Sequence, residues 1–347
     1  MSFADRLIDW QRRAGRHDLP WQRRRDPYGV WVAEIMLQQT QVATVIPYYQ
    51  RFLERFPSAA ALAEADLDEV LQLWSGLGYY SRARHLHRAA REIVERWGGV
   101  FPKRVEDIAR LPGVGRSTAA AIAVFAFGAR AAILDGNVKR VLARCFGIEG
   151  YPGTPAVERR LWRQAESLLP ERDVAAYTQA LMDLGALVCT RARPRCEACP
   201  VAGDCVARLT GRAEQLPTPR PRRPLPLRQV QWLVVLRHDE VLLEKRPPAG
   251  LWGGLWSFPE IAVEEDATAW CERALQASAQ ALTPLEPFDH VFTHFALRIH
   301  PQLVRVRRVP ARAAQPGWLW IPIDEAARAA VPTPVRKVLA AVGSPGP

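Results

Sequence analysis

Nowhere in its 347 residues does the chain hold a run of about 18 apolar residues, which argues against a membrane-spanning helix. The opening MSFADRLIDWQRR carries acids and an early arginine pair but no apolar leader core, so no secretory signal and a cytoplasmic location are expected. Lysine is scarce. Of 47 basic residues only Lys103, Lys139, Lys245 and Lys337 are lysines, so an amine nucleophile has few places to stand. Long-range repeats are absent, and low complexity is confined to one Pro/Arg-rich tract. Cysteine is also sparse, with six in all, and four of these fall within 17 positions. In a cytosolic protein that crowding points to metal rather than to disulfides.

What is present is arginine-driven basicity. A formal net charge of +11 makes a polyanion the first candidate partner, because each neutralised phosphate releases condensed counterions. The length favours two domains, each able to bury a core. Over residues 28–187 apolar residues recur at intervals of three and four, punctuated by Pro47, Pro57, Gly76, Gly78, Pro102, Pro112 and Pro170, which predicts many short helices. Residues 210–228 hold Pro217, Pro219, Pro221, Pro224 and Pro226 among five arginines and read as an extended linker. Beyond it the period changes: QWLVVLRH, EVLLEKR, LRIHPQLVRVRRV and GWLWIPI predict short strands, with helices around 267–279 and 334–342. The expected organisation is a helical domain over 1–209, the linker, and an α+β domain over 229–347.

Cys189, Cys196, Cys199 and Cys205 are spaced C-x6-C-x2-C-x5-C, close enough to wrap one centre. Soft sulfur donors restrict the occupant to zinc or iron-sulfur, and zinc more often takes four cysteines as two CxxC knuckles. Cys145 and Cys271 lack such company and read as small buried hydrophobes. Upstream, LPGVGRST places Gly113, Val114 and Gly115 in a tight turn whose backbone N–H groups can approach a phosphate at the start of the next helix, although a plain helix–helix turn has the same look. Asp135, in ILDGNVKR, stands just before a helix, where capping is the bland explanation. Glu34 sits in the apolar helical stretch VWVAEIMLQQTQ; buried there, it would have a raised pKa, and facing solvent it would not.

Taken together, the cysteine spacing placed after a helical region with LPGVG, and the string EIMLQQTQVATVIPYY, resemble the helix-hairpin-helix base-excision glycosylases that carry a [4Fe-4S] cluster. The likeness is dense over 19–208 and closer to the MutY-like branch than to the endonuclease III branch. It implies a mainly α glycosylase core with a cluster loop, followed by an α+β MutT-like domain of Nudix fold. It also implies an adenine DNA glycosylase acting on duplex DNA with adenine opposite 8-oxoguanine or guanine, as a monomer. Under the same resemblance Glu34 donates a proton to the departing adenine, Asp135 faces C1′ and stabilises an oxocarbenium-like sugar, and Asn137 belongs to the catalytic set. Trp21 and Gln179 line the adenine pocket. Gln39, Thr40, Leu77 and Tyr79 enter the base stack beside the lesion, where a flipped nucleotide leaves a hole, although Leu77 and Tyr79 would equally suit a core. Gly113, Val114, Gly115 and Lys139 contact DNA, and Arg191, Arg193 and Arg195 lie in the cluster loop.

Two departures sharpen the reading. Where the β-lyase branch carries its lysine nucleophile, this chain has Ser117, which cannot form a Schiff base, so monofunctional hydrolysis is expected. In the second domain PPAGLWGGLW and the FPE after it resemble the MutT-like domain, but no REx2EE run follows Pro259, so recognition without pyrophosphatase chemistry is expected. Phe292, Thr293 and His294 stand where the family carries Phe-Ser-His. Oxidation turns guanine N7 from acceptor to donor, and a hydroxyl at Thr293 can accept from it. Two other classes compete: a pyrimidine glycosylase-lyase of the endonuclease III type, and a noncatalytic DNA-binding iron-sulfur module or redox sensor. Ser117 and Glu34 argue against the first, Glu34 and Asp135 against the second.

Overall fold

The computed structural model describes residues 1–24, 26–221, 224–307, 309–310 and 315–343. Contacts divide it into two units, residues 1–64 with 85–222 and residues 65–84 with 223–347. Arg222 and Arg223 of the expected linker, Arg308 of the expected strand run, and 311–314 and 344–347 of the expected second domain lie outside the described residues. No helix among the described residues is long and apolar enough to cross a membrane.

The first unit is helical. The helix Phe3–Ala14 opens on a capping box between Ser2 and Asp5, and packs its buried Leu7 and Ile8 against the helix Val174–Asp183. The helix Pro27–Leu37 starts on Asp26, whose side chain accepts from the Gly29 N–H at 2.8 Å, with Pro27 at its first position. It is buried nearly all round and lies between Val42–Arg55 and Arg116–Phe127. The hairpin runs from Val105–Ile108 through Gly113, at φ +77°, into Arg116–Phe127, which Gly128 ends in the left-handed region. After Asp183 the chain makes a π-helical turn, Leu184–Val188, that delivers Cys189; such wide turns gather at functional sites.

The expected linker is narrower than its composition suggests. Leu216 is buried in the first unit, the Gly150 N–H bonds Thr218 Oγ1 at 3.1 Å, and a strand already begins at Leu227. The second unit is built on a mixed sheet: β1 (Leu227–Arg237), β2 (Glu240–Lys245), β3 (Trp256–Ser257), β4 (Glu260–Ile261), β5 (Ala279–Pro284), β6 (Phe288–Val291), β7 (Ala296–Val306) and β8 (Trp318–Pro322). Its main path is β3-β2-β1-β7-β5, with β1 and β7 parallel and β4, β6 and β8 pairing β1, β7 and β2. Covered on both faces, β1 carries the unbroken buried run Trp232–Leu236 instead of an alternating one. Leu233 and Val235 meet Trp270, Cys271 and Leu275, whereas Trp232 meets Trp252, Phe258 and Phe288. The helix expected over 267–279 ends at Leu275, because Gln276 turns left-handed and Ala279 already belongs to β5. That expected near 334–342 is Thr333–Gly343.

Candidate active site and nucleic-acid interface

Val30, Glu34 and Leu37 repeat at helical spacing and share one face of Pro27–Leu37. That face closes a pocket whose other walls are Gln11, Arg16 and His17, Trp21, and Ala175, Ala176, Gln179 and Met182 from Val174–Asp183. A second, more open chamber is lined by Gln38, Thr40, Ser117, Thr118, Asp135, Asn137, Ala186 and Leu187. The two share Arg16, Glu34, Leu37, Val42 and Met182, so Glu34 stands on the boundary with one acidic residue, Asp135, farther out.

Glu34 touches the pocket but is surrounded by protein, and burial, reinforced by the nearby Asp135 charge, pushes its pKa up to about 8. It is therefore largely protonated at neutral pH, an acid rather than a carboxylate. Asp135 does cap the helix Gly136–Cys145, accepting from the Val138 N–H at 2.7 Å, and it lines the outer chamber at the same time. Burial raises its pKa, while hydrogen bonds from Val138 and Asn137 and the charge of Arg140 oppose the rise. Two carboxyl groups thus line one cavity, both raised by burial, and of the two Asp135 has hydrogen-bond donors and a cation that oppose the rise.

Asn137 is held between partners: its Nδ2 stands 3.5 Å from Asp135 Oδ2, and its Oδ1 accepts from Arg140 Nη2 at 2.7 Å. Arg140 also donates to the carbonyls of Gly185 and Cys189, each at 2.7 Å, and joins the acid-bearing helix to the cysteine loop. Sequence reasoning missed Arg140, Arg16, Asp183 and Gly185. A Cβ at Gly185 would lie 2.5 Å from Asn137 Cβ, so only glycine permits this approach. Asp183, an acid within the apolar run of its helix, was the available signal.

The four motif cysteines line one small pocket with Cys145, Arg144 and Pro194. Arg144 is buried; its Nη1 stands 3.4 Å from Cys189 Sγ and 2.6 Å from the Thr190 carbonyl, and its Nε donates to the Leu216 carbonyl at 2.7 Å. Among the described residues no three His, Cys, Asp or Glu converge tightly enough for a single metal ion. All four thiols line the one pocket, and soft donors beside a buried cation suit an anionic iron-sulfide cage. Cys145 is buried, as expected of a small hydrophobe, and lines that pocket beside Cys205.

At the hairpin, Gly113 and Gly115 leave the backbone bare, and no side chain caps the helix that starts at Arg116, so its first N–H groups are open to an anion. Val114 is buried and offers backbone only. Lys139 is paired with Glu158 at 2.6 Å and lines neither chamber. Trp21 and Gln179 do line the inner pocket, and Thr40 the outer; Gln39 is exposed, at φ +59°.

In the second unit Leu77 and Tyr79 part company. Tyr79 is 50% exposed and left-handed at φ +48°, whereas Leu77 is only 6% exposed and does not project. Buried Arg82 braces the loop through the Leu77 and Gly78 carbonyls at 3.2 and 3.1 Å. Phe292, Thr293 and His294 form the tight β6–β7 connection, closed by the Phe292 N–H to the Phe295 carbonyl at 2.8 Å. Phe292 packs on Trp252 and Phe295, leaving Thr293 and His294 exposed. Thr293 and Phe292 share a cavity with Tyr79, Arg84 and Trp252. His294 is not part of it.

Comparison with known proteins agrees with this geometry. The HhH-GPD superfamily of base excision DNA repair proteins is matched over residues 32–167, and a NUDIX domain over 231–341. An adenine DNA glycosylase of Buchnera aphidicola subsp. Baizongia pistaciae is 35% identical over 97% of this chain and 95% of that protein. That of Mus musculus is 36% identical over 97% of this chain and 77% of its own. Among solved structures, a thermostable thymine-DNA glycosylase superposes with a TM-score of 0.55 at 31% identity, covering 60% of this chain and 95% of that one. An endonuclease III in a non-covalent DNA complex superposes at 0.52 and 22% identity over 60% and 94%, a likeness of fold.

Proposed function

The chain belongs to the adenine DNA glycosylases of base-excision repair, and from that membership we propose that it hydrolyses the N-glycosidic bond of adenine paired with 8-oxoguanine or guanine in duplex DNA. The observation that carries the proposal is Glu34, an acid with a pKa near 8 on the boundary between a pocket and a second chamber that holds Asp135.

Flipped adenine fills the inner pocket against Trp21 and Gln179, and its sugar lies in the outer chamber. Glu34 gives a proton to the purine, at N7, which makes the base a better leaving group. As the bond from C1′ to N9 breaks, the electron pair leaves with the base and Asp135 stabilises the positive sugar, with Asn137 orienting its carboxylate. Water adds to C1′ and loses a proton, giving free adenine and an abasic site. Ser117 supplies no amine, so the strand stays intact.

Backbone N–H groups at Gly113–Gly115 hold a phosphate. Gln39, exposed and held in a left-handed conformation, enters the base stack beside the lesion, and Tyr79, likewise exposed and left-handed, offers its ring to the DNA. Thr293 reads the opposite lesion through its hydroxyl, beside Tyr79. Cys189, Cys196, Cys199 and Cys205 would hold a [4Fe-4S] cluster whose chemistry here is structural, fixing the loop that carries Arg191, Arg193 and Arg195. The NUDIX-like domain lacks the glutamate-rich helix of a pyrophosphohydrolase: the segment 267–275 carries only Glu272, and the domain serves recognition.

The test is a duplex with adenine opposite 8-oxoguanine, analysed with and without alkali. Strand cleavage is expected only after alkali. Cleavage without it would mean a lyase, and an intact base would refute the assignment.

A further inference from the structure

Asp183 is completely buried, yet it lies at the end of the helix that forms one wall of the base pocket. Its two oxygens collect donors only. Oδ2 accepts from the Arg16 backbone N–H at 2.8 Å; Oδ1 accepts from Arg16 Nε at 2.7 Å and from Gln179 Nε2 at 2.9 Å, and Arg16 Nη2 stands 2.6 Å from Oδ1 as an ion pair. Both Arg16 and Gln179 line the inner pocket.

We infer that Asp183 is a positioning residue that fixes the hydrogen-bond polarity of this pocket: by holding Gln179 Nε2, it leaves the Gln179 carbonyl to accept from the 6-amine of adenine. The inference rests on the base assignment made above and deepens it. An amide can present either end, and its orientation is set by the network around it. A carboxylate paired with a guanidinium can only accept, so Gln179 must turn its NH2 group toward Asp183. Its Oε1 makes no hydrogen bond within the protein among the described residues and is the end left for the base. With N9 bound to the sugar, the 6-amine is the one hydrogen-bond donor of neutral adenine. A wall that offers a fixed acceptor therefore favours adenine over a purine that lacks the amine, whose binding would leave the carbonyl desolvated and unpaired.

The test uses the full-length, cluster-loaded protein in single-turnover reactions on two duplexes, with adenine or unsubstituted purine opposite 8-oxoguanine. Dividing each variant's adenine-to-purine rate ratio by that of the wild type cancels the difference in leaving-group chemistry. Gln179→Leu is expected to lower the adenine rate about tenfold, the worth of one hydrogen bond, while purine release stays within about twofold. Asp183→Asn, which puts a donor among donors and frees the amide to turn, is expected to lower the adenine-to-purine ratio in the same direction. A purely structural role would slow both bases alike. Because Asp183 acts through Gln179, adding Asp183→Asn to Gln179→Leu is expected to leave the ratio where Gln179→Leu alone puts it, and a further fall in the double variant would count against the inference. An unchanged ratio in Gln179→Leu, or in a folded Asp183→Asn protein, would overturn the inference. Wild-type protein without activity on adenine would instead remove the base assignment itself, and the two failures are read from different lanes of one experiment.

Discussion

Ser117 Oγ accepts a hydrogen bond from the backbone N–H of Leu134 at 2.8 Å, which ties the hairpin helix to the residue before Asp135. The serine that stands in place of a nucleophilic lysine thus has a task of its own. Ser117→Lys is expected to lower stability by roughly 1–3 kcal/mol, since the buried Leu134 N–H loses its acceptor. It should also give borohydride-trapped DNA adducts above the wild-type background, because an amine then faces the outer chamber. No gain in trapping by a folded variant would show that this position does not face the sugar.

Glu34 makes a pH prediction. Its carboxyl must be protonated to act, so single-turnover excision should fall as pH rises through about 8. Stability follows the same proton. Between the ordinary 4.5 and the folded value near 8, the folded chain holds a proton that the unfolded chain has lost, so stability falls with rising pH across that window and levels off above it. Glu34→Gln removes this dependence. Its melting advantage over wild type should grow between pH 5 and 8 by an amount on the order of a few kcal/mol, while adenine excision is lost. A constant gap in melting temperature would mean that Glu34 titrates normally.

Thr293→Val keeps the shape and removes the hydroxyl. Adenine opposite 8-oxoguanine should then be excised at a rate closer to that opposite guanine, with the preference reduced about tenfold, the worth of one hydrogen bond. Comparing the two duplexes in one variant isolates lesion reading from catalysis, and a retained preference would move that reading to another residue.

Gly185→Ala places a methyl 2.5 Å from Asn137 Cβ and 3.1 Å from its Cα. Backbone cannot yield there, so overpacking should cost about 1–3 kcal/mol. Because Asn137 is displaced from Asp135, excision should drop more than DNA binding does. Equal losses in both would argue against the orienting role of Asn137.

Iron analysis of the purified protein should return about four irons and four labile sulfides, as four thiolate ligands allow. Arg144→Met, which removes the cation beside Cys189 Sγ, should speed loss of the visible absorbance under oxygen. Stoichiometric zinc without iron would contradict the cluster assignment.

Much of this site was legible because its chemistry is local in sequence. Glu34 is an acid within an apolar helix, Asp135 precedes a helix, and four cysteines fall within one loop, so each signal survives without knowledge of the fold. The Arg16–Asp183 pair was hidden, since 167 residues separate its members and no local pattern requires them to meet. Leu77 was misleading for a related reason: its loop is apolar and glycine-flanked in either role, and only packing shows that it turns inward while Tyr79 does not. In the sheet, the long buried strands announced themselves. By contrast β5 is exposed along most of its length, and β3 and β4 are two residues each, too short for any period to register.

The wide turn at Leu184–Val188 has a consequence for what this gene can tolerate. On one side of it the helix presents Gln179 and Met182 to the base pocket; on the other it delivers Cys189 to the metal loop. Removing one residue would restore regular winding and rotate one side against the other by about 100°, so that pocket and loop could not both keep their partners. Point changes here alter fit, but a single-codon deletion or insertion would unhitch two sites at once. Apart from Asp183 and Gly185, which are fixed by their contacts, the segment between Gln179 and Cys189 is accordingly expected to vary more in composition than in length, and a one-residue deletion in it should abolish excision and cluster retention together.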